Sequence, residues 1–231
     1  MGMNAKSIFT VAVMLLLTAC SQPTLQSGPD AETTEDGLVR LDHATLTNTY
    51  VRPGANLQNY KAIQLISVGV DYRSVRASPA NWYPAPGRNE YNLTSTEKTS
   101  LEALVNEIFA EEFAKSEYFT MTDKPGPGVL VVKAGLVDVV SFVPLERPAR
   151  DYVFLSELGQ TTLILEVDDS ITGESFVRAS DRKRVDSNRA NQVMLRESNP
   201  VTNRQEVKRF MRLWARQLVV GLDELHEQGE I

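Results

Sequence analysis

The chain has 231 residues, 42% of them hydrophobic, with a formal charge of −6 and a pI near 5.1. That length supports one domain burying most of its apolar surface. The acidic balance argues against a nucleic-acid partner, which shows as a basic patch or a high pI. A single cysteine excludes an internal disulfide framework and a cysteine metal site.

Residues 1–19 have the parts of a secretory signal. Lys6 supplies the positive start, Ile8 to Leu17 (IFTVAVMLLL) is an apolar run, and the small residues Thr18 and Ala19 lead into Cys20. The run falls short of the roughly 20 apolar residues a membrane-spanning helix needs. Leu17-Thr18-Ala19-Cys20 resembles the lipobox read by bacterial lipoprotein-processing enzymes. That resemblance implies diacylglycerol on the Cys20 sulfur, cleavage before it, and a third acyl chain on the new amino terminus. Two or more chains give stable membrane anchoring, where one gives only marginal binding. In the enterobacterial sorting rule an Asp after the cysteine favours the inner membrane, so Ser21 points to the outer membrane, with the domain facing the periplasm.

Residues 20–36 follow as lipidated cysteine and tether. The stretch from Ser21 to Asp36 is polar and rich in Pro, Gly, Ser and Thr, which predicts a flexible coil spanning roughly 20–24 Å. The folded domain is then 37–231. Within it Val51-Arg52-Pro53-Gly54 signals a turn, and Lys61 to Tyr72 alternates as a strand whose phase changes near Leu65, through a bulge or burial of both faces. Arg73 to Asn92 is a long loop holding Trp82 and Tyr83, which either anchor a partner or pin the loop onto the domain, the commoner role of large aromatics.

Thr94 with Glu97 matches a capping box, and Leu101, Leu104, Val105, Ile108, Phe109 and Phe113 recur at helical spacing, predicting a helix from Thr94 to about Ser116. After a short strand near Tyr118–Thr122, two Pro-Gly pairs in 125–128 break the chain. Val129 to Val143 predicts a long strand bent at Gly135. Strands over Thr161–Asp168 and Glu174–Arg184 flank a hairpin turn at 169–173. Asn203 and Glu206 suit the start of a final helix to about His226, with Met211, Trp214, Leu218, Leu222 and Leu225 on its inner face. Hairpin-linked strands with helices to one side predict one α+β two-layer domain, a mainly antiparallel sheet with two long helices packed on it.

The chain also resembles a family of bacterial lipoproteins, domain of unknown function 3313. Asp36-Gly37-Leu38-Val39, Tyr50 to Ala55 (YVRPGA), Pro125 to Leu130 (PGPGVL), Leu165 to Gly173 (LEVDDSITG), Val201-Thr202-Asn203 and Trp214-Ala215 carry the likeness. The resemblance implies a proteobacterial envelope lipoprotein, and it brings no activity and no functional residue with it.

A search for chemistry finds little. No G-x-S-x-G elbow or glycine-rich phosphate loop occurs, and His43 and His226 lack the spacing of a metal pair. His226 near a helix carboxyl end suits a positive charge there. Arg182-Lys183-Arg184 lies between Asp181 and Asp186, as a solvated strand end would. Alternation places Glu166 and Asp168 on one strand face beside Asp169, a carboxylate group compatible with glycan hydrolysis or cation binding. The sequence therefore predicts a non-enzymatic envelope accessory or interaction protein with no cofactor or metal, a membrane partner through Cys20 and a protein partner. The alternatives are a periplasmic carrier of lipid or small molecules, with its site between sheet and helices, and a wall- or glycan-acting enzyme.

Overall fold

The computed structural model describes residues 23–75, 90–144, 153–186 and 195–231. The lipobox residues Leu17, Thr18 and Ala19, Cys20 itself, and Trp82 and Tyr83 lie outside the described residues. Among the described residues no helix is long and apolar enough to cross a membrane.

The strands, in chain order, are β1 (Thr24–Leu25), β2 (Val39–Asp42), β3 (Asn48–Val51), β4 (Ala62–Tyr72), β5 (Thr120–Met121), β6 (Val129–Ser141), β7 (Phe154–Leu155), β8 (Glu157–Asp169), β9 (Ser175–Asp186) and β10 (Arg196–Glu197). The helices are α1 (Ser95–Phe113) and α2 (Pro200–Gln228). Eight strands form one sheet in the order β1-β2-β3-β9-β8-β6-β4-β5, while β7 and β10 make a separate pair. Pairing is antiparallel except beside β4, which runs parallel to both β5 and β6. The parallel pairs arise because α1 carries the chain from the end of β4 back to the start of β5 and β6, the crossover that parallel strands require. The expected α+β two-layer architecture is present, and α1 and α2 pack on one sheet face.

Local chemistry explains the elements. Thr94 and Glu97 close the predicted capping box: the Thr94 hydroxyl accepts from the Glu97 N–H at 3.3 Å, and the Glu97 carboxylate accepts from the Thr94 N–H at 2.8 Å. Pro53 and Gly54 build the predicted turn; Gly54 takes φ +74° and the Ala55 N–H donates to the Arg52 carbonyl at 3.1 Å. The phase change in β4 is a bulge, at the register shift between Ile66 and Gly69. A second irregularity between Val137 and Val140 sets Asp138 at φ +59°. There Gly159 passes so close to β6 that a Cβ would lie 2.3 Å from the Val140 carbonyl oxygen.

Three expectations need correction. Helix α2 starts at Pro200 and not near Asn203: Asn199 is the N-cap, its side chain accepting from the N–H groups of Val201 and Thr202. Pro200 has no N–H to lose at the first helical position, so Asn-Pro outcompetes the weaker signal downstream. Strand β8 begins at Glu157, four residues earlier than the pattern indicates. Finally, 23–36 is not the free coil that composition predicts. β1 pairs with β2, and the N–H groups of Gln26 and Thr34 donate to the carbonyls of Arg40 and Leu38. Glu32 meets Arg40 at 2.9 Å and Asp36 meets Arg178 at 2.8 Å. Main-chain edge pairing of this sort needs few large side chains, so composition does not register it.

Candidate functional site

The two helices cover the sheet differently. Under α1, Leu104, Val105, Ile108, Phe109 and Phe113 are buried against the sheet core of Ile63, Leu130, Val132 and Leu136. Under the C-terminal half of α2 a cleft of about 440 Å³ remains. Leu218, Leu222 and Leu225 form its helix wall at steps of four and three, and Leu165, Val177 and Ala179 of β8 and β9 its floor. Pro23, Leu41, Ala44 and Leu46 close the β1–β3 side, while Gln217, Glu224, Glu227 and Gln228 stand at the rim.

Residue size opens this space. Gly221 faces the cleft with no side chain, and a Cβ added there would meet nothing within 4 Å. Ala44 and Ala179 are the smallest side chains that still face inward. Volume in the range of ~300–1,000 Å³, an apolar lining and a few polar rim groups characterise small-ligand pockets. The inner face expected for α2 is buried, with Met211, Trp214, Leu218, Leu222 and Leu225 in the core, and helical spacing alone gives no sign of the cleft beside it. Gly221 inside an otherwise good helix was the available signal, since an interior glycine costs a helix about 1 kcal/mol relative to alanine and calls for a packing reason.

The carboxylates Glu166, Asp168 and Asp169 lie together at the end of β8, and each is engaged. Lys133 on the neighbouring β6 sits 2.5 Å from Asp168 and 3.4 Å from Glu166, and Arg178 on β9 donates to Glu166 at 3.1 and 3.2 Å. Asp168 is buried, with Oδ1 lacking a hydrogen bond. Asp169 turns into the hairpin, accepting from the N–H groups of Thr172 (2.6 Å) and Ile171 (2.8 Å) and from the Tyr60 hydroxyl (2.7 Å). The Thr172 N–H is the leading cause that holds Asp169 at about 2, against the opposing effect of burial. Burial first, and the Asp169 bond second, push the Tyr60 hydroxyl upward. Alternation does bring Glu166 and Asp168 to one face, but their cationic neighbours bind them in salt bridges and Asp169 caps a turn. Among the described residues no group of three acidic, His or Cys side chains is arranged to hold a metal ion.

The histidines stay apart. His43 is exposed in a turn at φ +59°. His226 is buried, stacked on Tyr118 at 4.4 Å and edge-on to Phe119 at 5.2 Å, with Lys61 Nζ 3.4 Å from its Nε2. Desolvation and the Lys61 charge lower its pKa, so the charge-favouring helix terminus is overruled by the packing around it. Arg182, Lys183 and Arg184 each have an acidic neighbour, at Asp138 (3.1 Å), Asp181 (2.7 Å) and Glu157 (3.5 Å). The buried Asp181 also accepts from Trp214 Nε1 at 2.8 Å and Thr47 Oγ1 at 2.6 Å, fixing α2 to β9.

A family model described as protein of unknown function (DUF3313) matches residues 34–218. The chain belongs to this family. No curated protein matches it. Among solved structures it is similar to a Xanthomonas campestris protein of family model DUF330, at 12% identity and TM-score 0.38, covering 77% of this chain and 93% of that one. A putative neuraminyllactose-binding hemagglutinin homolog from Helicobacter pylori gives 10% identity and TM-score 0.35, covering 76% and 89%. The PelC dodecamer from Paraburkholderia phytofirmans gives 9% and 0.32, covering 74% and 95%.

Proposed function

We propose that this family member is a lipid-anchored protein of the bacterial cell envelope, held on the outer membrane through Cys20, that acts as a non-enzymatic accessory or interaction module. The observation that carries this reading is Leu17-Thr18-Ala19-Cys20 directly behind the apolar run from Ile8 to Leu17. The engaged carboxylates support the non-enzymatic part, because Glu166, Asp168 and Asp169 are committed to Lys133, Arg178, Tyr60 and a turn. The test is in-cell cross-linking of the native chain, with a Cys20→Ser chain exported without its anchor as control. A discrete envelope protein captured only by the anchored form supports the module; a chain always recovered alone counts against it.

The cleft favours a second reading, a carrier of an acyl chain or another apolar ligand between sheet and α2. Apolar material that co-purifies with the unanchored domain, and is lost when Gly221 is replaced by a bulky residue, distinguishes this reading from the first.

A further inference from the structure

We infer that the cleft beneath α2 seats one acyl chain of the lipid on Cys20, which holds the domain against the bilayer in one orientation. The inference rests on the lipoprotein reading above. Pro23 lines the cleft, and Cys20 precedes it by three residues, a reach of at most about 10 Å. β1 runs antiparallel to β2, so the chain enters β1 from the side of Ala44 and Thr45, which also line the cleft. Because 23–36 lies on the sheet edge, little free chain separates the anchor from the domain.

Charge selects among lipids. Among the described residues the lining includes Glu224 and Glu227 and no Lys, Arg or His. A phospholipid would bring its phosphate to this acidic rim, whereas a thioether-linked diacylglycerol on an acylated amino terminus carries no charge. With three chains on Cys20, one in the cleft leaves two in the membrane, enough for stable anchoring. The seated chain lies along Leu218, Leu222 and Leu225, an apolar wall suited to a hydrocarbon.

The test uses the full chain made in a bacterial envelope fed with a diazirine-bearing fatty acid, irradiated in single-copy nanodiscs and digested. Intact mass first reports whether Cys20 is acylated. The expected product joins the Cys20 peptide to the peptide of α2 containing Leu218 to Leu225. It persists in Gly221→Ala and disappears in Gly221→Phe, whose ring takes the acyl volume, while circular dichroism shows that variant folded. An acylated Cys20 with no link to α2 overturns the inference and leaves the lipoprotein reading standing. So does an α2 peptide carrying phospholipid mass, which reassigns the cleft to a foreign lipid. A Cys20 without lipid removes the lipoprotein reading and the inference together.

Discussion

The two helices lie on the same sheet face, yet the layer beneath α1 is solid and the layer beneath the end of α2 is hollow. α1 presses two phenylalanines, Phe109 and Phe113, with Ile108 and Val105 into the sheet, all fully buried. α2 does the same with Trp214 and Met211 in its first half; past these its leucines Leu218, Leu222 and Leu225 are also buried, but they and Gly221 border a cleft. Binary pattern puts apolar residues inward in both places; only side-chain volume distinguishes a packed seam from a cleft. His226 shows the same division within one helix turn. On the packed side it stacks on Tyr118 and meets Phe119 edge-on, while Leu225 and Glu227 beside it line the cleft.

Substitutions sharpen this contrast. Phe109→Ala opens a void in the packed seam and is expected to cost about 3–5 kcal/mol, read by urea unfolding. Leu222→Ala borders space that already exists, so its cost belongs at the low end of the leucine range, near 2 kcal/mol; equal losses at the two positions would abolish the distinction. Gly221→Ala adds a Cβ into open space and removes a helix glycine, so the unfolding midpoint should rise, by up to about 1 kcal/mol in stability. A loss there would show that the cleft is tighter than its lining indicates.

The smallest effect is the pH response of His226. Its folded pKa lies below 6.5, so the unfolded chain binds the proton more readily. The contribution is therefore fully present above about pH 6.5 and is lost as pH falls from there toward the folded value. His226→Phe keeps an aromatic ring in the stack. Thermal unfolding between about pH 7.5 and about pH 5.5 should show a shallower decline for this variant than for the parent chain. Parallel declines would place the titration elsewhere.

Much of the fold was legible. The Thr94–Glu97 box, the Pro53-Gly54 turn and the alternation through β6, β8 and β9 each have a local cause, so local residues were enough to read them. The candidate site was scarcely legible. Leu218, Leu222 and Leu225 have the spacing of a core stripe, and nothing local says that Ala44, Ala179 and Gly221 converge opposite them. The carboxylates at the end of β8 were visible as a group, but their partners were not: Lys133 comes from 35 residues before Asp168 and Arg178 from 12 residues after Glu166, each on a neighbouring strand.

By itself, then, the sequence determined the elements, their order, the α+β class and the family, because capping, turn chemistry and periodicity act over a few residues. The tertiary structure alone decided where β1 adds to the sheet edge, which charges neutralise the acidic face, and where the space under α2 lies. Those depend on volumes and partners brought together from separate elements, from 12 residues apart for Arg178 and Glu166 to 134 for Thr47 and Asp181, and no local pattern encodes them.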